Sequence, residues 1–285
     1  MKRFATISLL CAICLSLASG CGPNETNAEP AAENNPETAA PVDTEDYTGA
    51  TPFTPIAKIE SPAFYKEDGS FDQDVAKKAY YDMMKAYHYP IPAMLKGEDF
   101  WTADFLQGDF AKLGMAGIFW KNVEGKYGDV GAGDYDGEFK DTQYGYLGHE
   151  IFLLPGQMLP EHNHFGNGEK KGFGPKMETW HIRHGSVEFF GEYQGPQGET
   201  PVSELSEEEL PWGYGEDWFK SKYVKKCEAG EIYSLNDPES YHFMRAGPNG
   251  AIVAEYATYH NDVKFSNPDM EFGNSEAAEI TKRGE

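Results

Sequence analysis

The sequence predicts an all-β sandwich or barrel that is preceded by one α-helix. From Phe100 onwards, short apolar runs alternate with glycine-, proline- and turn-rich stretches at hairpin spacing. Ahead of them, one segment has the three- and four-residue apolar spacing of a helix. The chain has 285 residues, enough for one large all-β domain or two smaller ones. We find no internal repeat of the length that indicates a solenoid or propeller.

The helix is predicted over Phe71–Tyr89. Its apolar positions are Val75, Ala79, Met83 and Ala86, and either Asp72 or Asp74 can cap its first turn. Pro90 and Pro92 end it, because proline lacks the backbone N–H that a helix needs. The Tyr and Met residues of this segment are expected to pack against a sheet, and His88 is not expected to bind a ligand.

The predicted strands are short and are separated by loops. They lie at Tyr144–Pro155, Ser186–Gly195, Glu231–Leu235, Tyr241–Met244 and Ala251–Tyr256. Residues 123–140 are rich in Gly and Asp, but their spacing fits no calcium loop, so we interpret them as a solvated hairpin loop. Thr200–Tyr223 is an acidic and aromatic insertion, in which Ser206 and Glu209 have the spacing of a capping box.

The first 20 residues are typical of a lipoprotein signal peptide. Lys2 and Arg3 precede a short apolar run, which ends in Ala18-Ser19-Gly20-Cys21. We expect Cys21 to be the lipidated first residue of the mature protein; the alternative is an ordinary signal peptide cut near Gly20. Residues 21–55 are poor in large apolar side chains and are interpreted as a disordered tether. The folded domain is then 56–285, in the cell envelope or periplasm, where only the lipid contacts the membrane.

The net charge indicates which classes of molecule the protein can bind, and the cysteine count indicates whether it has disulfides. The net charge is −23, which argues against nucleic acid or an anionic membrane surface and suits a neutral small molecule and a cation. Of four cysteines, only Cys227 lies beyond residue 21. No internal disulfide is therefore expected, and Cys227 is predicted to be a small buried apolar side chain.

Candidate metal ligands lie in the stretch Gly156–Gly185. His162 and His164 are two residues apart, so on a strand they point to one side. Glu178 follows a glycine-rich excursion, at the start of an apolar run. Two imidazoles and a carboxylate are a donor set for a first-row transition metal.

The spacing resembles the first motif of the cupins, which are small jelly-roll barrels with a metal at the mouth. The motif residues are Gly156, His162, His164, Glu178 and Gly185. The gap between His164 and Glu178 is longer than in most cupins, but its glycine-rich sequence can loop out. A second cupin motif lies at Gly230, Pro238 and His242, and the resemblance implies that His242 completes a set of three His and one Glu.

Within the cupins, the chain is similar to the D-lyxose ketol-isomerase family. The similarity is carried by LLPGQMLPEHNH (Leu153–His164), GPKMETWHIRHGSVEFF (Gly174–Phe190), AGPNGAIVAEYAT (Ala246–Thr258) and FSNP (Phe265–Pro268). It implies a double-stranded β-helix with an N-terminal helical segment and a metal-dependent aldose–ketose isomerase. The expected substrate is a small neutral sugar of the D-lyxose/D-xylulose or D-mannose/D-fructose type. Mn²⁺ is the expected ion, with Zn²⁺, Fe²⁺ or Co²⁺ as alternatives, and a homodimer is the expected assembly.

An isomerase also needs a group that moves a proton between two carbons. Lys176 lies two residues before Glu178 and so points to the same side of an extended segment. Glu255 shares a strand face with Val253 and Ala257, so it should point into the barrel, where burial raises a carboxyl pKa. We assign Glu255 as base and Lys176 as the charge that polarises the substrate oxygen; the exchanged roles are the alternative. A solvated loop lysine and a structural salt bridge are the competing interpretations.

Aromatic residues could form the floor of a sugar site. Trp180 should face inward with Glu178, while Arg183 should face outward. Trp180 and Tyr241 are the candidates for stacking on a sugar ring, although core packing is the commoner fate of such side chains. Two other functions stay open: an Fe(II) oxygenase that uses the same four ligands, and a non-catalytic envelope protein that binds sugars. Neither would need the Lys176 and Glu255 pair.

Overall fold

The fold, taken from a computed structural model, is described for residues 53–121, 146–164, 176–258 and 263–272. All of them belong to one unit of the chain, Pro52–Glu285. The predicted signal peptide, Cys21, nearly all of the predicted tether, the hairpin loop at 123–140 and the glycine-rich loop at 165–175 lie outside these ranges.

Helix α1 spans Gln73–Ala86. The Asp72 carboxylate accepts hydrogen bonds from the backbone N–H groups of Asp74 and Val75, so the predicted cap is Asp72. The helix ends three residues before the predicted Tyr89. Its buried face is Ala76, Ala79, Tyr80, Met83 and Met84. Of the predicted apolar positions, Ala79 and Met83 belong to this face, while Val75 and Ala86 are half-buried and Val75 packs against its edge.

Within the described ranges, ten strands pair antiparallel in one sheet. They are β1 (Trp101–Ala103), β2 (Met115–Lys121), β3 (Tyr146–Leu153), β4 (His162–Asn163), β5 (Glu178–Gly191), β6 (Thr200–Pro201), β7 (Tyr223–Glu228), β8 (Ile232–Ser234), β9 (His242–Thr258) and β10 (Lys264–Phe265). The main order is β1-β2-β3-β9-β5-β7-β6; β4 pairs with β9 and β10, and β8 pairs with β5. Short 3₁₀ helices of the described ranges lie at Ser61–Phe64, Ala93–Lys96, Val202–Glu204 and Glu207–Glu209. The all-β fold with an N-terminal helical segment is confirmed.

Two long strands dominate the sheet. The predicted separate strands at Tyr241–Met244 and Ala251–Tyr256 are parts of the single strand β9, which pairs with β5 along almost the whole length of both. The register shifts near Gly185, where bulges bend the pair. Gly185 has a φ of 75°, and a Cβ there would lie 2.0 Å from the carbonyl oxygen of Gly250. Only glycine therefore fits at position 185, where β5 passes close to the backbone of β9.

The sheet has an apolar layer on each side. The inner cluster includes Trp101, Ile151, Trp180, Phe189 and Val253. The outer cluster packs α1 against the other face of the sheet, through Tyr80, Met83, Met84, Phe152 and Ile252. The expected packing of the helix Tyr and Met residues on a sheet is therefore confirmed.

Cys227 belongs to the inner cluster and is almost fully buried. Burial raises the pKa of its thiol to about 11. The predicted apolar role of Cys227 is confirmed. Among the described residues, no helix has the length and apolar character needed to cross a membrane.

Candidate metal centre and active site

The predicted metal ligands come from three neighbouring strands. His162 in β4 lies directly opposite His242 at the start of β9. His164 follows β4, and Glu178 is the first residue of β5. Glu178 pairs with Ala257, near the end of β9. Because His162 and His164 are two residues apart, both imidazoles face the same side of the extended chain.

The structure brings all four predicted ligands together. The imidazole nitrogens of His162, His164 and His242 lie within 4.8 Å of one another. The Glu178 carboxylate lies 3.6 Å from His164 Nε2 and 3.1 Å from His242 Nε2. His164, Glu178 and His242 are buried and His162 is half-buried, so most of the cluster is shielded from bulk water.

Backbone carbonyls orient two of the rings. His162 Nδ1 lies 2.9 Å from the Pro160 carbonyl oxygen, and His242 Nδ1 lies 3.0 Å from that of Ser240. An imidazole that donates from Nδ1 presents a lone pair at Nε2, as a metal ligand must. Burial, followed by the neighbouring His242, lowers the pKa of His162 to about 4, so its imidazole is neutral at pH 7.

Two facing acceptors indicate a cation at this position. His242 Nε2 and Glu178 Oε2 are buried, and neither has a hydrogen-bond partner of good geometry among the described residues. Burial lowers the pKa of His242, but the Glu178 carboxylate outweighs it and raises that pKa. Either a proton or a metal ion between the two atoms relieves the repulsion of their lone pairs. Three imidazoles and one carboxylate fit a first-row divalent metal.

Lys176 joins this cluster to Glu255. Its Nζ lies 2.7 Å from Glu178 Oε1 and 2.6 Å from Glu255 Oε1. Lys176 is 5% exposed and Glu255 is 4% exposed, so Lys176 is not a solvated loop lysine. Burial lowers the pKa of Lys176, but the two carboxylates outweigh it and hold the pKa above its ordinary value. Lys176 is therefore a buried cation.

The predicted rise in the pKa of Glu255 is wrong. Burial does raise this pKa, but the charge of Lys176 and the neighbouring His149 outweigh burial, and the pKa lies below its ordinary value. The prediction counted only the apolar strand neighbours, Val253 and Ala257. The cation that reverses the sign comes from a segment 79 residues earlier in the chain.

His149 is a functional candidate that the sequence interpretation missed. It lies in β3 directly opposite Glu255 in β9, and its Nδ1 is 3.4 Å from Glu255 Oε2. The signal was present: Leu147, His149 and Ile151 alternate along β3 and all are buried. A histidine on the inner face of an apolar strand needs a partner, because a buried polar group without one is costly.

These residues line one cavity of about 110 Å³. Its polar lining consists of the four ligand residues together with Lys176, Glu255 and His149, and the remaining described lining is largely aromatic and aliphatic. Trp180 lines it and stacks on Phe189 and Tyr233, as its predicted inward direction implies. Arg183 is exposed, as predicted.

Tyr241 is not among the described residues that line the cavity. It precedes His242, and adjacent residues of an extended chain point to opposite faces. Its backbone N–H donates to the Glu192 carboxylate at 2.7 Å, away from the metal ligands. The predicted sugar contact of Tyr241 is therefore not supported by its position.

The insertion at Thr200–Tyr223 is hydrogen-bonded to Glu161, the residue before strand β4. The Glu161 carboxylate accepts hydrogen bonds from the backbone N–H groups of Lys220, at 2.9 Å, and Ser221, at 2.7 Å. The Glu161 carbonyl oxygen accepts one from the Ser266 N–H. Glu161 thus ties two distant segments to the residue before His162. Within the insertion, Ser206 is the N-cap of Glu207–Glu209, and its backbone N–H donates to the Glu209 carboxylate in the predicted capping box.

Comparison with known proteins finds sugar isomerases. A D-lyxose/D-mannose isomerase of Thermosediminibacter oceani is 26% identical over 190 residues, which are 67% of this chain and 86% of that protein. A D-lyxose ketol-isomerase of Cohnella laeviribosi is 32% identical over 128 residues, 44% of this chain and 64% of that protein.

Among solved structures, L-ribose isomerase of Cellulomonas parahominis with L-psicose matches with a TM-score of 0.47 and 16% identity. The match covers 69% of this chain and 91% of that structure. No protein family model matches the chain.

Proposed function

We propose that this protein is a divalent-metal-dependent aldose–ketose isomerase. The observation that carries the proposal is the position of the Lys176–Glu255 pair, which lines the same cavity as the four clustered ligands. A metal site alone would serve many reactions. A buried carboxylate and a buried cation beside it are what a proton transfer next to a carbonyl group requires.

Glu255 and Lys176 have different roles in the proposed reaction. The Glu255 carboxylate takes the proton from C2 of the aldose and returns it to C1. The proton of the C2 hydroxyl passes to O1 of the enediolate, so that C2 becomes the ketone carbon and C1 carries the new hydroxyl. Lys176 carries the positive charge that stabilises negative charge developing on the substrate oxygens. A divalent metal held by His162, His164, Glu178 and His242 supplies further Lewis-acid stabilisation of that charge when bound. Because the neighbouring carboxylates hold Lys176 protonated, the structure favours Glu255 as base over the exchanged roles.

The proposed substrates are small neutral aldoses. The matched relatives are named as D-lyxose and D-mannose isomerases, and this chain spans most of the first of them. We propose D-lyxose and D-mannose as the first sugars to test, and Mn²⁺ as the first ion, with Zn²⁺, Fe²⁺ and Co²⁺ as alternatives. The donor set of three imidazoles and one carboxylate suits each of these ions.

The test is an assay of residues 22–285 for the conversion of pentoses and hexoses after loading with each metal. We expect D-lyxose or D-mannose to yield the corresponding ketose, and the chelated protein to be inactive. Oxygen consumption without ketose would favour the Fe(II) oxygenase. Sugar binding without turnover would favour the non-catalytic protein. Full metal occupancy with no ketose from any sugar would contradict the proposed function.

We also propose that the protein is a homodimer, attached to a membrane of the cell envelope through lipid on Cys21, with residues 21–55 as tether. The lipid attachment is supported by the apolar run and the Ser19-Gly20-Cys21 ending of the first segment. Cys21→Ala should move the protein from the membrane fraction to the soluble fraction of expressing cells, with isomerase activity per molecule unchanged. Cys227→Ala is the matched control and should leave the protein in the membrane fraction. Equal membrane retention of the Cys21→Ala variant and the parent would contradict lipid attachment.

A further inference from the structure

We infer that His149 is a positioning residue that holds Glu255 in the geometry needed to accept the substrate proton. The inference rests on the proposed function, because it concerns the base of that reaction. It goes beyond it by assigning a task to a residue outside the metal ligands and the Lys176–Glu255 pair.

Glu255 has a different neighbour at each carboxylate oxygen. Lys176 Nζ lies 2.6 Å from Oε1, and His149 Nδ1 lies 3.4 Å from Oε2. One contact leaves a carboxylate able to rotate about its terminal bond, whereas contacts at both oxygens restrict the plane of the group. The two contacts approach from different elements: His149 from β3, and Lys176 from the segment that leads into β5.

The surroundings of His149 Nε2 indicate which ring nitrogen carries the proton. His149 Nε2 is buried and has no hydrogen-bond partner among the described residues. A Cβ built on Gly117 in β2 would lie 2.3 Å from this Nε2, so the atom packs closely against the Gly117 backbone. A buried nitrogen without a hydrogen-bond partner costs less free energy as a bare acceptor than as an N–H donor packed against the backbone. The proton therefore belongs on Nδ1, where it faces the Glu255 carboxylate.

Aromatic rings pin the imidazole in this orientation. The His149 ring centroid lies 5.4 Å from that of Trp101, at an interplanar angle of 28°, and 4.5 Å from that of Phe119. Trp101 and Phe119 also stack on each other at 5.3 Å. Gly117 provides the space for this arrangement, since a Cβ there would also lie 2.6 Å from the Trp101 ring. The packing restricts His149 to the single direction in which Nδ1 meets Glu255.

The chemical consequence is a base with little freedom to move. A carboxylate that takes a proton from one carbon and returns it to the next must face both, and displacement of about 1 Å in a reacting group can cost about 100-fold in rate. His149 acts on kcat through Glu255, and its other described ring contacts are with Trp101 and Phe119.

The test compares two replacements of His149 in the metal-loaded protein. His149→Phe keeps a planar ring between Trp101 and Phe119 but removes the donor. His149→Asn loses ring stacking but places an amide N–H close to the position of Nδ1. We expect kcat to fall about 10- to 100-fold in His149→Phe, with KM and bound metal unchanged within twofold, and His149→Asn to recover most of the loss. A crystal structure of His149→Phe should show the Glu255 carboxylate rotated away from its parent position.

The crystal structure also separates this inference from the proposed function. A parent protein that isomerises no sugar would refute the function, while the position of Glu255 in His149→Phe would still test the contact. An unmoved Glu255 in a folded His149→Phe variant overturns the positioning role. Parental kcat in the His149→Phe variant would also overturn it. An equal loss of kcat in the Phe and Asn variants would do the same, because a purely structural role of the ring would not depend on the N–H donor that Asn restores.

Discussion

Glu255→Gln is expected to lower kcat for sugar isomerisation about 1000-fold while leaving the metal content unchanged. Glutamine has the size of glutamate and can still contact Lys176, but its amide cannot take up the substrate proton. Loss of a positioned base costs about 100- to 10,000-fold. The metal should remain because the three clustered histidines and Glu178 do not include Glu255.

The measurement is steady-state isomerisation together with metal analysis of the purified variant. Glu150→Gln is the matched control. It makes the same chemical change in β3, at the residue next to His149, but on the outer face, where Glu150 accepts a hydrogen bond from the Tyr89 hydroxyl. The control should leave kcat unchanged, because Glu150 is not among the described residues that line the cavity. More than one-tenth of the parental kcat in fully metal-loaded Glu255→Gln would exclude Glu255 as the base.

His242→Ala is expected to abolish both stoichiometric metal binding and isomerisation. His242 is the proposed ligand from β9, and its Nε2 lies 3.1 Å from Glu178 Oε2. Changes in groups that only orient metal ligands cost about 10- to 100-fold in metal affinity. Removal of a ligand should therefore cost more than about 100-fold. Without the cation, the donor atoms of the cluster also lose what offsets their mutual repulsion.

Elemental analysis after dialysis and competition with a chelator measure this effect. Tyr241→Phe is the matched control, because Tyr241 is the adjacent residue but is not among the described residues that line the cavity. It should bind one metal ion per chain and retain its activity. Added metal should raise the melting temperature of the parent and of Tyr241→Phe, but not of His242→Ala, because only a ligand that binds the folded state stabilises it. Stoichiometric metal in His242→Ala would remove His242 from the donor set.

The sequence by itself determined the local and motif-level features. Asp72 caps α1 because a helix start depends on side chains within one turn. The inward direction of Trp180 and the outward direction of Arg183 follow from the two-residue period of a strand, and the structure shows both. His162, His164 and Glu178 were predicted as ligands from their spacing and His242 from the resemblance to the cupins, and the structure brings the four side chains together. Such features can be predicted because their causes lie within a few residues or within a repeated motif.

The tertiary structure decided what depends on strands that are distant in the sequence. The two apolar runs of β9 form one strand because β5 pairs with both of them, and neither run by itself indicates that continuity. Tyr241 and His242 separate onto opposite faces once the start of the strand is known. The pKa of Glu255 falls because Lys176 and His149, which are remote in the sequence, lie beside its carboxylate in the folded chain. Electrostatic energy depends on distance in space. The direction of that shift, and the contact between His149 and Glu255, therefore became known only when β3, β5 and β9 were placed side by side.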